Sequence, residues 1–121
     1  MPTILIADDN LDFRDVLGDL FRAHGFDVLL ADDGQHAWEL LQVSIPDIVL
    51  SDIHMPRLDG ISLCERIRNA PDISNIPVVL LSGNPPKTRP TSVSDVICKP
   101  VQLEELMATL NLALQKANGK I

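Results

Sequence analysis

Four apolar runs in this chain end on side chains that can handle a metal or an anion. "TILIA" (Thr3–Ala7) is followed by Asp8-Asp9, and "DIVLS" (Asp47–Ser51) by Asp52. "IPVVLLS" (Ile76–Ser82) ends on Ser82 and runs into Gly83, and "SDVIC" (Ser94–Cys98) is followed by Lys99-Pro100. Singly, each is ordinary. An Asp pair before a helix caps it and complements its dipole. Asp52 passes for a solvated loop acid, Ser82 for a turn residue and Lys99 for a surface lysine. Together they are three carboxylates, a hydroxyl and an ammonium, all at strand ends.

That set has a definite chemistry. Carboxylates ~4 Å apart at a surface-like dielectric repel by roughly 4 kcal/mol per pair. Such a cluster invites a hard divalent cation, and Mg2+ favours a few carboxylates, several waters and a phosphate oxygen. Lys99 supplies a positive point charge suited to a phosphoryl group, and Ser82 a hydrogen-bond donor to one of its oxygens. A carboxylate in line with the phosphorus then serves as nucleophile and becomes an aspartyl phosphate. Asp52 fits that role best: it closes the central apolar run, and the following "IHMPRLDG" can fold back to offer backbone groups.

The elements that must hold these groups alternate. After the first strand, Phe13, Val16, Leu17, Leu20 and Phe21 recur at helical spacing, with Gly25 as a stop. "FDVLLA" (Phe26–Ala31) is a second strand, Gly34–Val43 a helix with Trp38 and Leu41 on one face, and "LDGISLCERIRN" a third helix with Ile61, Cys64 and Ile67 inward. Leu103, Leu106, Met107, Leu110 and Leu114 stripe a closing helix, with a polar tail over 118–121. Such βα alternation predicts one domain with an open parallel sheet, helices on both faces and right-handed crossovers. Ligands of such sheets bind beyond the carboxyl ends of the strands, which is where the acids, Ser82 and Lys99 stand.

Bulk composition narrows the alternatives. The chain has 121 residues, 45% of them hydrophobic, so it can build a core. Its net charge is -7, with no clustered Lys/Arg run, which argues against direct nucleic-acid binding. No apolar run approaches membrane-spanning length, and "MPTILIADDN" is too short and acidic for a signal peptide; a cytoplasmic location is expected. Cys64 and Cys98, the two cysteines, sit in apolar surroundings and read as reduced, buried thiols.

These residues resemble the receiver domains of two-component response regulators. The motifs are "ILIADDN", "DIVLSDIHMPRLDG", "IPVVLLSG" and "VICKP", in the family's order, over Thr3 to about Lys116. The resemblance implies a flavodoxin-like, doubly wound, five-stranded parallel sheet of order 2-1-3-4-5. It implies that Asp52 accepts a phosphoryl group from a phosphohistidine of a sensor histidine kinase or phosphotransfer protein. Asp9, Asp52 and the backbone carbonyl of His54 would ligate Mg2+, and Asp8 would act mostly through metal-bound water. Ser82 and Lys99 would contact the phosphoryl group, Gly83 would keep space beside it, and Lys99-Pro100 would be cis. Pro56 would stiffen the loop and Gly60 permit its turn into the next helix.

Two departures stand out. The family's aromatic residue three before the Lys is replaced by Val96, and the last aromatic residue of the chain is Trp38. Between Ser82 and Lys99, Pro85, Pro86 and Pro90 disfavour a helix, and "TSVS" has poor helix propensity. The family's fourth helix is therefore expected to be missing or degenerate. The dimer that many members build on the fourth helix, fifth strand and fifth helix is accordingly not expected. The alternative to a phospho-accepting regulator is a receiver-fold interaction module that works without phosphorylation. A flavin site is disfavoured by acidic strand ends, and an aspartate-nucleophile phosphatase by the lack of Asp-x-Asp spacing after the first strand. The downstream effector is not specified by these residues.

Overall fold

The computed structural model describes residues 2–84, 86–88 and 93–118. Every strand is apolar on both faces, so the sheet must be covered on both sides. β1 (Thr3–Ala7), β2 (Asp27–Ala31), β3 (Ile48–Asp52), β4 (Val78–Ser82) and β5 (Asp95–Cys98) pair in parallel in the order β2-β1-β3-β4-β5. Side-chain alternation divides the core in two. Ile4, Ile6, Leu50, Val79, Leu81 and Ile97 face α1 (Leu11–Ala23) and α4 (Leu103–Asn118), meeting Leu17, Phe21, Leu106 and Leu110. Leu5, Ala7, Val49, Val78 and Leu80 face α2 (Gly34–Leu41) and α3 (Gly60–Arg68), meeting Ala37, Leu41, Leu63, Cys64 and Ile67. This is the expected flavodoxin-like layout.

Three helices start at the same edge of the sheet, each with a side-chain cap. Asn10, Asp33 and Asp59 accept hydrogen bonds from the backbone N–H groups of Phe13 (3.0 Å), His36 (2.8 Å) and Ser62 (2.7 Å). Each such cap contributes about 1 kcal/mol. They fix where the strand-to-helix loops turn, and so where the strand-end side chains point.

Three details differ from expectation. The second helix ends at Leu41, two residues early. Val16 belongs to α1's apolar spacing yet is 57% exposed, because it lies beside the Leu17–Phe21 row that meets the sheet. Cys98 is exposed rather than buried, while Cys64 is buried as expected. The reason is topological. β5 is an edge strand, and Cys98 shares its face with Val96, on the side of α2 and α3. Among the described residues between β4 and β5 none is helical, and Cys98 on that face is exposed. The region of the family's fourth helix is thus short, as "PPKTRP" implies. Pro86 is described and exposed; Pro85, Pro90, Thr91 and Ser92 lie outside the described residues, as do residues 119–121 of the expected tail.

Candidate functional site

Asp8 follows β1 and is buried, Asp9 next to it is exposed, and Asp52 is the last residue of β3 and buried. One carboxylate oxygen from each of the three can be chosen so that all lie within 4.8 Å of one another. Lys99, directly after β5, places its Nζ 3.5 Å from Asp8 Oδ2 and 3.4 Å from Asp52 Oδ2. The ring of Phe13 holds the same ammonium from another side, 4.6 Å from the ring centroid, a cation–π contact. The backbone N–H of Lys99 donates to Ser82 O at 2.8 Å, and Lys99-Pro100 is cis, as expected.

Ser82 closes β4, one position beyond Leu81, the residue that pairs with Asp52. It is fully buried, and its Oγ accepts the backbone N–H of Asn84 at 3.0 Å. The hydroxyl proton is thus available to another acceptor. A Cβ at Gly83 would meet nothing within 4 Å, so this position borders open space. His54 lies exposed in the loop between β3 and α3. That loop folds back as anticipated: the Gly60 N–H donates to Ile53 O at 2.8 Å, and a Cβ at Gly60 would come within 2.3 Å of Asp52 O. Val96 pairs with Leu80 and packs, half-buried, on the α2/α3 side of the core.

The structure therefore gathers Asp8, Asp9, Asp52 and Lys99 into one cluster. It sets Ser82 beside them along the sheet edge, and leaves His54 and Gly83 at the rim and Val96 within the core. Sequence reasoning missed Phe13 as a site residue, because its spacing matched the core stripe. It also missed the Asn10 cap, which the position of an Asn just before an apolar-periodic run could have signalled.

The cluster suits a hard cation. Asp8 Oδ1 accepts the Asn10 N–H at 2.9 Å, but Asp8 Oδ2 is buried without a hydrogen-bond partner. A buried carboxylate oxygen that accepts no hydrogen bond and has only the Lys99 ammonium at 3.5 Å, with two further carboxylates beside it, belongs to an all-oxygen donor set of the kind Mg2+ takes. Burial above all pushes the Asp8 carboxyl above its ordinary range; the Asn10 N–H and Lys99 pull it down, and Asp52 and Asp9 push it up. With the folded value raised, the folded state binds the proton more tightly than the unfolded chain. That contribution to stability is complete below the ordinary Asp value and is lost as pH rises through the raised one. In chelator at neutral pH, Asp8→Asn is accordingly expected to raise the Tm by a few degrees, on the order of 1 kcal/mol, and to flatten this pH slope. Thermal melts of both proteins between pH 4 and 8 check it; a lower Tm for the variant throughout would contradict it.

A family model for the response regulator receiver domain matches residues 4–111. Response regulator MprA of Mycolicibacterium vanbaalenii is 33% identical over 122 residues, covering 96% of this chain and 52% of that protein. The receiver domain of Francisella response regulator 1452 superposes with a TM-score of 0.87 at 28% identity, covering 98% of this chain and 100% of that one. The receiver domain of a signal transduction histidine kinase from Syntrophus aciditrophicus does so with a TM-score of 0.87 at 26% identity, covering 100% and 96%. This chain belongs to the response regulator receiver domain family of two-component signalling. Such domains bind Mg2+ at an acidic pocket and interact with histidine kinases and effectors; they are not enzymes in the ordinary sense. The chain spans about half the length of MprA. Among the described residues, no helix is long and apolar enough to cross a membrane.

Proposed function

We propose that this domain takes a phosphoryl group from a phosphohistidine of a sensor histidine kinase or phosphotransfer protein onto Asp52, and changes its partner-binding surface in response. The observation that carries this reading is the placement of Lys99 Nζ between Asp8 Oδ2 and Asp52 Oδ2, beside a third carboxylate. A carboxylate paired with an ammonium and flanked by cation ligands is equipped to receive a phosphoryl group; a solvated acidic edge is not.

Asp9, Asp52 and the His54 backbone carbonyl would hold Mg2+ directly, and Asp8 would hold it mainly through water; the ion would supply positive charge to offset the negative charge on the phosphoryl oxygens. An Asp52 carboxylate oxygen bonds to phosphorus as the phosphorus–nitrogen bond breaks, and the imidazole leaves with the electron pair. Lys99 moves its ion pair from the carboxylates to a phosphoryl oxygen, and the Ser82 hydroxyl donates to another. The acyl phosphate carries about -1.5 to -2 charge, up to about one negative charge more than the ionised carboxylate it replaces. Lys99 and the metal balance it, so the conformations that bring Lys99 and Ser82 closest are favoured. With Val96 in place of an aromatic ring, the shift of Ser82 passes outward through the backbone of β4 and β5. The domain acts in the cytoplasm on a downstream effector, without touching nucleic acid itself. It does not form the dimer based on the fourth helix, fifth strand and fifth helix.

The test is incubation with acetyl phosphate, with and without Mg2+, followed by intact-mass measurement and peptide mapping. The expected result is one added phosphoryl group, dependent on Mg2+ and located on Asp52. No adduct rejects the reading in favour of a phosphorylation-independent interaction module, and an adduct elsewhere rejects Asp52 as the nucleophile.

A further inference from the structure

Arg57 and Asp33 form a contact that no step above uses. Arg57 lies in the loop between β3 and α3, at φ 66°, the sole non-glycine residue with positive φ among the described residues. Non-glycine residues enter that left-handed region at an energetic cost and stay there when their surroundings over-determine them. Here the surroundings are specific. Arg57 Nε donates to Asp33 Oδ2 at 2.7 Å, and a second guanidinium nitrogen donates to Asp33 Oδ1 at 3.1 Å. The Asp33 side chain is only 9% exposed, and its Oδ1 also caps α2 through the His36 N–H. The Arg57 hydrogen bonds, ahead of other causes, hold the Asp33 carboxyl below the usual range. Next to it, a Cβ on Gly34 would stand 1.9 Å from Leu58 O, so the missing side chain is what lets the loop sit against α2.

A two-toothed arginine–carboxylate pair fixes orientation as well as distance. This one ties the short loop that leaves Asp52 to the capped end of α2, a rigid element. We propose that the Arg57–Asp33 pair is a positioning clamp for the divalent-cation site: it holds the loop between β3 and α3 in the shape that ligates the ion, and so sets the ion's affinity. The inference rests on the phospho-acceptor reading, in which this loop supplies the His54 carbonyl. Groups that orient metal ligands from behind contribute to affinity without touching the ion.

The variants separate the clamp from the backbone and from the cap. Arg57→Ala removes the guanidinium. Arg57→Gly removes it while suiting the left-handed backbone, and Asp33→Asn keeps a capping oxygen while losing the charge. Mg2+ affinity is read by titration calorimetry on the unphosphorylated protein, alongside melts in chelator. Each variant is expected to bind Mg2+ roughly tenfold more weakly. The Arg57→Ala/Asp33→Asn double variant should be no weaker than either single one, since both remove one contact. Arg22→Ala, which removes the exposed pair with Asp19 on α1, is expected to bind as wild type. Wild-type affinity in folded Arg57→Gly or Asp33→Asn overturns the clamp, as does a double variant whose loss is the product of the single losses. In either case the phospho-acceptor reading stands, provided the wild type binds Mg2+ and labels; if the wild type binds no Mg2+, both fall.

Discussion

An Asp52→Asn protein is expected to take up no phosphoryl group from acetyl phosphate at any Mg2+ concentration, while melting no lower than wild type in chelator. The first half follows from the chemistry: an amide oxygen is not a nucleophile toward phosphorus under conditions where a carboxylate is. The second half separates this loss from misfolding. Asp52 is buried beside Asp8, whose Oδ2 accepts no hydrogen bond and has only the Lys99 ammonium at 3.5 Å, and the two carboxylates compete for that one ammonium. Replacing one carboxylate leaves Lys99 paired with Asp8 and reduces the repulsion in the cluster. The Mg2+-induced rise in Tm should shrink for the same reason, because stabilisation by a ligand follows its affinity. A labelled Asp52→Asn protein would place the nucleophile elsewhere. A large fall in its Tm would mean that Asp52 holds the fold together rather than loading it with charge.

Gly34→Ala carries the largest expected effect on stability. A Cβ there meets Leu58 O at 1.9 Å, Leu58 C at 2.7 Å and Leu58 Cβ at 2.9 Å. These are mostly backbone atoms, and they cannot rotate out of the way. Either the loop between β3 and α3 lifts off α2 or the start of α2 unwinds from its Asp33 cap. Overpacking of this kind costs about 3 kcal/mol, which lowers the Tm of a domain of this size by roughly 10 °C. Gly83→Ala is the contrasting case, since its Cβ would meet nothing within 4 Å. Parallel urea and thermal melts check the pair, and equal stability of Gly34→Ala and wild type would refute the close approach.

The parts of this molecule that were legible in the sequence are those written in local pattern. The strands are continuous apolar runs, and the side chains just after them are visible by position alone, so Asp8, Asp9, Asp52 and Lys99 could be placed at one edge before their distances were known. The gap between β4 and β5 was legible because proline acts on its own neighbours. Contacts between segments far apart in the chain were not. Arg57 and Asp33 are 24 residues apart, and nothing local marks an arginine after Pro56 as the partner of a helix cap. Arg14 falls in line with Leu17 and Phe21 on the buried face of α1, and nothing local marks Asp32, 18 residues away, as its partner. Cys98 misled for a related reason: apolar neighbours in sequence say nothing about whether the face of an edge strand is covered.

That exposed thiol makes the molecule its own sensor. Of two cysteines, one is sealed in the core, and the other stands on the surface directly before Lys99, with Sγ 3.3 Å from Lys99 O. A maleimide dye therefore has one accessible address. It reports from the strand whose end carries the ammonium that must change partners, and a change in its emission on adding acetyl phosphate would time the response of β5 in the unaltered chain.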